Sequence, residues 1–411
     1  MTEPQRPSES RAEARRLKIT ILGLRGCPNV QGGVERHVEQ LAPLLASKGC
    51  DVEVVVRAPY VPASAPRSWR GIAITRLWCW KNKSLEAIVH TALGVLRAGW
   101  TRPDILHIHA IGPALYAPLA RALGLKVVVT HHGFDYERDK WGQLGKTALR
   151  LGEYLGMRFA NARIIISNAI AQSVKERLGE TANIIPNGVM LAAARTSATA
   201  LASFGLEPGR YVLAVGRIVP EKRHLDLIAA FQKANLPGWK LAIVGAPDHP
   251  DDYSRSVDAA ATAAANVVMT GFQTGTPLAE LFGHAGLFVL PSSHEGLPIA
   301  LLEALAAGVK SLASDIAPNR EIGLDSGSYY PLGDTDALAT LLTKWAAAPL
   351  SSAERQELRA HVAAHFDWNV VAQRTLAVYR RVLAASSAAE ESRTAPASTE
   401  AGSEAAKAGR A

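Results

Sequence analysis

Cysteine is scarce in this chain: Cys27, Cys50 and Cys79 are the only three, an odd number with no C-x-x-C pair among them. That excludes a disulfide framework and a zinc knuckle, and suits a reducing cytoplasm. Aromatic residues are also few, at 6% of the chain. No basic stretch is interleaved with stacking rings, so nucleic acid is not an expected partner. No uninterrupted apolar run approaches the roughly 18 residues that a membrane span needs. The opening stretch MTEPQRPSESRAEARR lacks the apolar centre of a secretory signal and reads as a flexible arm.

What is present is an ordinary globular composition, 48% apolar and 20% charged, with a surplus of cations that leaves a formal charge of +8. The surplus implies an anionic partner, whether a headgroup surface or a phosphorylated small molecule. With 411 residues the chain exceeds what one core usually organises, so two domains are expected.

Short β-branched runs alternate with helical segments at 17–23, 51–57, 104–108, 126–130 and 163–167, and again at 211–215, 240–244, 266–270, 286–290 and 309–313. Alternation of this kind predicts an α/β fold with parallel sheets wrapped on both faces. Runs such as Val127-Val128-Val129 and Ile164-Ile165-Ile166 fit strands buried on both sides. The two series bound an arm at 1–16, an N-terminal domain at 17–190, an Ala/Ser/Thr-rich linker at 191–208 and a C-terminal domain at 209–365. A last amphipathic helix is expected at 366–384 and a disordered tail at 385–411. Ligands of such sheets bind beyond the carboxyl ends of the strands, here in a cleft between two lobes.

Three stretches carry chemistry. The first strand runs into Gly23-Leu-Arg-Gly-Cys-Pro-Asn-Val-Gln-Gly-Gly33, and Val34, Val38, Leu41 and Leu45 then recur at helical spacing. Gly32 and Gly33 thus open onto a helix N-terminus, which can cradle an anion with main-chain N–H groups or be a mere tight turn. The stretch is neither a G-x-G-x-x-G fingerprint nor a P-loop. In the second series, Arg217 and Lys222 follow a buried strand, placed to meet phosphate oxygens or to form a solvated pair. Finally, Pro291-Ser-Ser-His-Glu-Gly-Leu-Pro298 leads to a segment whose only polar residue up to Ala307 is Glu303. A helix apolar all round is buried, and its carboxylate needs a sugar hydroxyl pair or a neighbouring Arg to offset desolvation. Pro298 reads as a first-turn residue. Glu295 and Glu303 would then stand roughly 12 Å apart along the helix. His107 and His109 on one strand, with His131 and His132 after another, admit a zinc alternative, although His132 beside Gly133 is better placed to touch a substrate.

Taken together, Arg25-Gly-Cys-Pro-Asn-Val-Gln-Gly-Gly-Val-Glu-Arg-His37, Thr130-His-His-Gly-Phe-Asp135, Ile185-Pro-Asn-Gly188, Gly216-Arg-Ile-Val-Pro-Glu-Lys222, the Glu295/Glu303 pair and Ser314-Asp-Ile-Ala-Pro-Asn-Arg-Glu321 occur in one order. In that order they resemble the retaining glycosyltransferases of family 4, from about Leu17 to Leu383. The resemblance implies a GT-B fold: two Rossmann-like domains facing across a cleft, an acceptor lobe first and a nucleotide-sugar lobe second, with a C-terminal crossover helix. It implies that Gly33, with Gly32, presents a main-chain N–H to the donor diphosphate, and that Arg217 and Lys222 neutralise the leaving group. Glu303 would hold the ribose, Glu295 with Gly296 and Leu297 the transferring sugar, and His132 would orient it. No metal and no cofactor beyond the nucleotide-sugar substrate is implied. Arg223-His224 departs from relatives that carry Gly after the lysine.

The opening motif is closest to members that build capsular or exopolysaccharide repeat units. The expected acceptor is therefore a saccharide or a polyprenyl-diphosphate-linked saccharide, handled in the cytoplasm by a hexosyltransferase. Arg11, Arg15, Arg16 and Lys18, with Trp78, Trp80, Lys81 and Lys83, could hold the first domain on the anionic inner leaflet, or be ordinary surface. Competing readings are a GT-B sugar-nucleotide epimerase, a metal-dependent hydrolase, or a nucleotide-binding scaffold without activity.

Overall fold

A computed structural model describes residues 15–80, 86–137, 141–191 and 197–394. The first β-branched series forms an eight-stranded sheet. Its strands are β1 (Leu17–Leu22), β2 (Cys50–Arg57), β3 (Ser68–Trp69), β4 (Ile72–Leu77), β5 (Ile105–His109), β6 (Val127–His131), β7 (Ala162–Ile165) and β8 (Asn183–Ile184), in the order β3-β4-β2-β1-β5-β6-β7-β8. Every pairing is parallel except β3 with β4. Five helices cover it: α1 (Gly33–Ser47), α2 (Glu86–Thr101), α3 (Ala117–Ala122), α4 (Gln143–Phe159) and α5 (Asn168–Leu178).

The second series forms a six-stranded parallel sheet from β9 (Tyr211–Val215), β10 (Lys240–Val244), β11 (Val267–Gly271), β12 (Leu287–Leu290), β13 (Lys310–Ser314) and β14 (Tyr329–Tyr330). Its order, β11-β10-β9-β12-β13-β14, is that of a dinucleotide-binding fold, with the order reversing between β9 and β12. Around it lie α6 (Thr199–Ser203), α7 (His224–Ala234), α8 (Asp252–Ala263), α9 (Gly275–Gly283), α10 (Ile299–Ala306), α11 (Ala317–Arg320), α12 (Thr335–Ala347) and α13 (Ser352–His365). The chain then returns to the first lobe as α14 (Trp368–Thr394), whose Trp368, Val371, Leu376 and Tyr379 share a core with Val38, Leu41 and Leu45 of α1. This is the two-lobed architecture with a crossover helix that the resemblance implies.

All the strands expected from sequence form, and four more appear. Of these, β4 alternates buried and exposed residues and is joined to β3 by Arg70 and Gly71, both at positive φ (46° and 81°). Two such residues make the tight turn that matches strand twist. The Ala/Ser/Thr-rich linker is not wholly irregular: α6 lies inside it, held by burial of Leu201 and by an Ala200 N–H donated to Glu280 at 2.8 Å. One buried leucine leaves no helical period to read. The final helix also runs past Ala384 to Thr394. Its Ala- and Glu-rich extension propagates from a docked helix without the cost of a new nucleus. The rest of the tail, Arg11 of the arm, and Lys81 and Lys83 fall outside the described residues. Arg15 and Arg16 pair with Asp104 (2.8 Å) and Asp51 (3.6 Å) of their own lobe. No described helix is long and apolar enough to cross a membrane.

Candidate active site

The parallel strands of both sheets aim their carboxyl ends at one another, and the loops that follow β1, β9 and β12 meet in the cleft. After β1 the chain doubles back to start α1 at Gly33. Gly32, at φ 151°, lies where a Cβ would strike the Glu35 carboxylate, so only glycine fits. A Cβ on Gly33 would meet nothing within 4 Å. Arg25 fixes this loop: its main-chain N–H and Nε both donate to Glu35 Oε1 (3.0 and 3.1 Å), and Nη2 donates to the Gln31 carbonyl. Burial of Glu35 opposes its charge, but the Arg25 guanidinium overcomes that and holds the carboxyl below its usual range.

The same Arg25 reaches into the second lobe. Its Nη1 lies 2.6 Å from Asp248 Oδ1, while Arg217 Nη1 donates to Asp248 Oδ2, also at 2.6 Å. Asp248 therefore joins a guanidinium from each lobe. Burial works against its charge, yet Arg217 and then Arg25 pull its pKa down to about 2. Beside it, Gln31 spans the lobes with two bonds to Ala246, to its carbonyl at 3.0 Å and from its N–H at 3.1 Å. Arg217 thus stands next to the glycine loop. Lys222 Nζ donates to Glu295 Oε1 at 2.5 Å. Arg223, in the place of a glycine, adopts φ 48°, the left-handed conformation that favours glycine.

Glu295 and Glu303 are not carried on one helix. The helix α10 begins at Ile299 with Pro298 as its N-cap, one residue later than expected, so Glu295 sits in the loop and the helical spacing of the pair does not apply. Glu303 is held by an arginine from the opposite lobe: Arg36 Nε and Nη2 donate to its Oε1 at 3.0 and 2.6 Å. Between the two acids, Gly296 packs so closely on the His132 carbonyl that a Cβ would overlap it. The next residue, Leu297, accepts a 2.7 Å bond at its carbonyl from Asn187 Nδ2. Asn187 Oδ1 in turn accepts from His37 Nδ1 of α1 at 2.8 Å. Asn187 is buried and joins the glycine-loop helix to the Glu295–Leu297 loop.

The histidines divide into separate tasks. His131 accepts from the Gly133 N–H through Nδ1 (3.1 Å) and so donates through Nε2 to buried Glu153 (3.0 Å). His107 bonds Tyr379 of α14 and Thr130, each at 2.7 Å. His132 Nε2 lies 2.9 Å from His109 Nδ1. Burial, reinforced by neighbouring imidazoles, keeps His132 and His109 well below the usual histidine range, and burial takes His37 down to about 4. All three are therefore neutral near pH 7. The zinc alternative changes membership: among the described residues the one group with metal-ligand proximity is His37, His109 and His132, a ring nitrogen of each lying within 4.8 Å of the others. Two of its members already spend a nitrogen on each other, and His37 spends one on Asn187.

The sequence-derived set therefore gathers in one place: Gly32, Gly33, Arg217, Lys222, Glu295, Gly296, Leu297, Glu303 and His132 all line the meeting of the lobes. Sequence reasoning passed over Arg25, Arg36, His37, Asn187 and Asp248. The first four lie inside motifs quoted for resemblance but had no task assigned. Asp248 follows β10 by four residues, an acid just beyond a buried strand, and that position was its only signal.

Comparison with known proteins agrees with this geometry. Residues 31–193 match the profile of Glycosyltransferase Family 4, and residues 201–361 that of Glycosyl transferases group 1. The chain is 29% identical over 390 residues to phosphatidyl-myo-inositol mannosyltransferase of Mycolicibacterium smegmatis, covering 87% of this chain and 92% of that one. It is 28% identical over 410 residues to glycogen synthase of Mycobacterium tuberculosis, covering 88% and 94%. In fold it resembles sucrose-phosphate synthase from Thermosynechococcus elongatus (TM-score 0.78, 21% identity, 90% and 100% coverage). It also resembles Anabaena HepE in complex with UDP-glucose (TM-score 0.70, 19% identity, 91% and 100% coverage). With both halves matched in order and two Rossmann-like lobes facing one cleft, the chain belongs to the family 4 glycosyltransferases, GT-B enzymes that transfer a sugar from a nucleotide-sugar donor.

Proposed function

We propose that the enzyme moves a hexosyl group, with retention of configuration, to a hydroxyl of a saccharide or a polyprenyl-diphosphate-linked saccharide in cell-surface polysaccharide synthesis. The observation that carries the donor half of this reading is the shared grip of Arg25 and Arg217 on Asp248, which brings cations of both lobes beside the glycine loop. The relatives bear on the acceptor half: one is named for a lipid acceptor and one for a polysaccharide product.

Each charged side chain assigned to the donor has an ion-pair partner, so binding is an exchange. Arg217 gives up Asp248 and Lys222 gives up Glu295 to meet diphosphate oxygens, while Asp248 keeps Arg25. The freed Glu295 accepts from sugar hydroxyls, and Glu303 trades Arg36 for the ribose hydroxyl pair. As the bond between the anomeric carbon and the diphosphate oxygen breaks, the electron pair leaves with the diphosphate. Its charge is met by the two cations and by the Gly33 N–H, preorganised donors of the kind that dominate such catalysis. The acceptor oxygen attacks on the same face, and its proton passes to the departing phosphate oxygen. His132, neutral and held by His109, orients the sugar rather than taking that proton.

The test is a panel of nucleoside-diphosphate sugars incubated with the full chain, with and without a short saccharide or a polyprenyl-diphosphate saccharide. Acceptor-dependent release of nucleoside diphosphate, with the sugar recovered on the acceptor, is expected. Arg217→Ala and Lys222→Ala should each lower kcat by about a hundredfold or more, the scale of a lost charge-stabilising donor, at unchanged melting temperature. Rates like the unsubstituted enzyme's would defeat the phosphate assignment. A free epimerised sugar nucleotide in place of a glycosylated acceptor would defeat transfer itself.

A further inference from the structure

The helix α2 is apolar on the wrong side. Towards its own sheet it buries Thr91, Val95 and Ala98, as a surface helix should. Away from the sheet it shows Leu93, Leu96 and Trp100 at i, i+3 and i+7, with Trp100 90% exposed. A helix with apolar residues on both faces is normally enclosed or set against a non-aqueous phase. Its neighbours continue the pattern, since α2 touches α3 and α3 touches α4. Outward-facing Leu119 of α3 and Leu151, Tyr154 and Phe159 of α4 are exposed as well.

Charge on these three helices is one-sided. Their only acids, Glu86 and Glu153, are buried, the first against Arg57 (2.8 Å), the second against His131 and Arg177. The remaining charges are Arg97, Arg121, Lys146, Arg150 and Arg158, all cations, of which Arg97 pairs with Glu53 (2.7 Å) and Arg158 with Glu180 (3.8 Å) outside these helices. Trp78 and Trp80, 61% and 65% exposed, leave the carboxyl end of β4, the sheet edge that also carries the glycine loop. Apolar area edged with cations and tryptophan, with no exposed acid on the three helices themselves, complements an anionic headgroup layer. A second copy of the chain would instead bring its own cations against these.

The geometry points to the α2–α3–α4 face as the surface on which this enzyme docks to a bilayer containing anionic lipid, with the Trp78/Trp80 edge of the cleft turned to the membrane. The inference deepens the lipid-linked acceptor proposed above and rests on it for its purpose, but not for its physics. Arg15 and Arg16 are paired within their own lobe and are not counted in this face.

The full chain should float with phosphatidylglycerol vesicles at low salt, not with pure phosphatidylcholine vesicles, and should be released as salt rises and screens the contact. Trp100→Glu and Leu96→Glu should each weaken that partitioning by about tenfold or more. Both variants should keep the melting temperature and the vesicle-free turnover of the unsubstituted chain, which separates docking from folding. Absence of flotation with phosphatidylglycerol overturns the inference, and so does equal binding by the variants. A stable dimer in light scattering that Trp100→Glu breaks apart, without vesicle binding, assigns the face to a second copy instead. Turnover on soluble acceptors without flotation would sink docking alone; flotation without any transfer would sink the proposed function alone.

Discussion

Asp248 sits where the ligand's charge must go. Two guanidiniums grip it at 2.6 Å each, one from each lobe, so an incoming diphosphate has to compete with a carboxylate already placed for it. Asp248 and Arg217 should therefore act on nucleotide binding with opposite sign, although they touch. Asp248→Asn keeps the shape and removes the charge; affinity for inorganic pyrophosphate should rise by roughly tenfold, the equivalent of about 1.4 kcal/mol of lost competition. Titration calorimetry decides it, and weaker binding in the variant would mean that Asp248 builds the site rather than blocking it. Asn187 acts differently, because its side chain bonds none of the charged donor groups and works through the Leu297 carbonyl and His37. Asn187→Asp points a carboxylate oxygen at the Leu297 carbonyl in place of an N–H. With the Glu295–Leu297 loop released, kcat should fall by about tenfold while the KM for acceptor holds, the mark of a positioning group. A change in acceptor KM alone would assign Asn187 to the acceptor instead.

At the scale of elements, α14 is the strap that makes one molecule of two lobes. Its Tyr379 is fully buried and shares a 2.7 Å bond with His107 Nδ1 inside the first sheet. Tyr379→Phe leaves that imidazole nitrogen buried without a partner, at a cost of about 1–3 kcal/mol. Urea unfolding should show the loss with donor KM unchanged; an unaltered midpoint would mean that water replaces the hydroxyl. This strap was legible in sequence only up to its docking stripe, Val371, Leu376 and Tyr379, because apolar period reports packing and the Ala/Glu extension packs on nothing that imposes a period. The same logic separates strands that could be read from those that could not. Strands such as β6 and β10, buried on both faces, are continuous apolar runs. The edge strands β3, β8 and β14 are two residues long and carry no pattern at all, while β4 had a period-two signal that went unread. In the cleft, residues with a motif and a plain task were found. Arg36 and Asp248 were not, because each has a partner on the other lobe, Glu303 and Arg25, and sequence distance says nothing of which loops will face each other.

The whole molecule carries an unusual load of neutral imidazole. Burial lowers His37 and His90 to about 4, His107 and His224 to about 3, and His109 and His132 well below their ordinary value. All six would titrate near 6.5 in the unfolded chain. As pH falls below that value the unfolded state takes up protons that the folded state refuses. Their contribution is therefore fully present above about pH 6.5 and is lost as pH descends towards the folded values. Each imidazole removes about 1.4 kcal/mol per pH unit in that window. Glu35, Glu153 and Asp248, held low by their cationic partners, begin to cost stability only when pH enters the usual carboxylate range. Between about pH 6.5 and 4.5 the slope thus belongs to histidine, and several imidazoles acting together suffice to exhaust the roughly 5–15 kcal/mol of a typical fold. Melting temperature should fall steeply across this interval, with cooperative loss of tertiary signal near its lower end. Of the imidazoles where the lobes meet, His37 should be charged first, beside the His132 ring, so donor turnover should decline reversibly before the far-UV signal does. Melting that stays flat from pH 7.5 to 4.5 would place these rings in water, and the neutral, orienting His132 on which the transfer scheme depends would have to be given up with it.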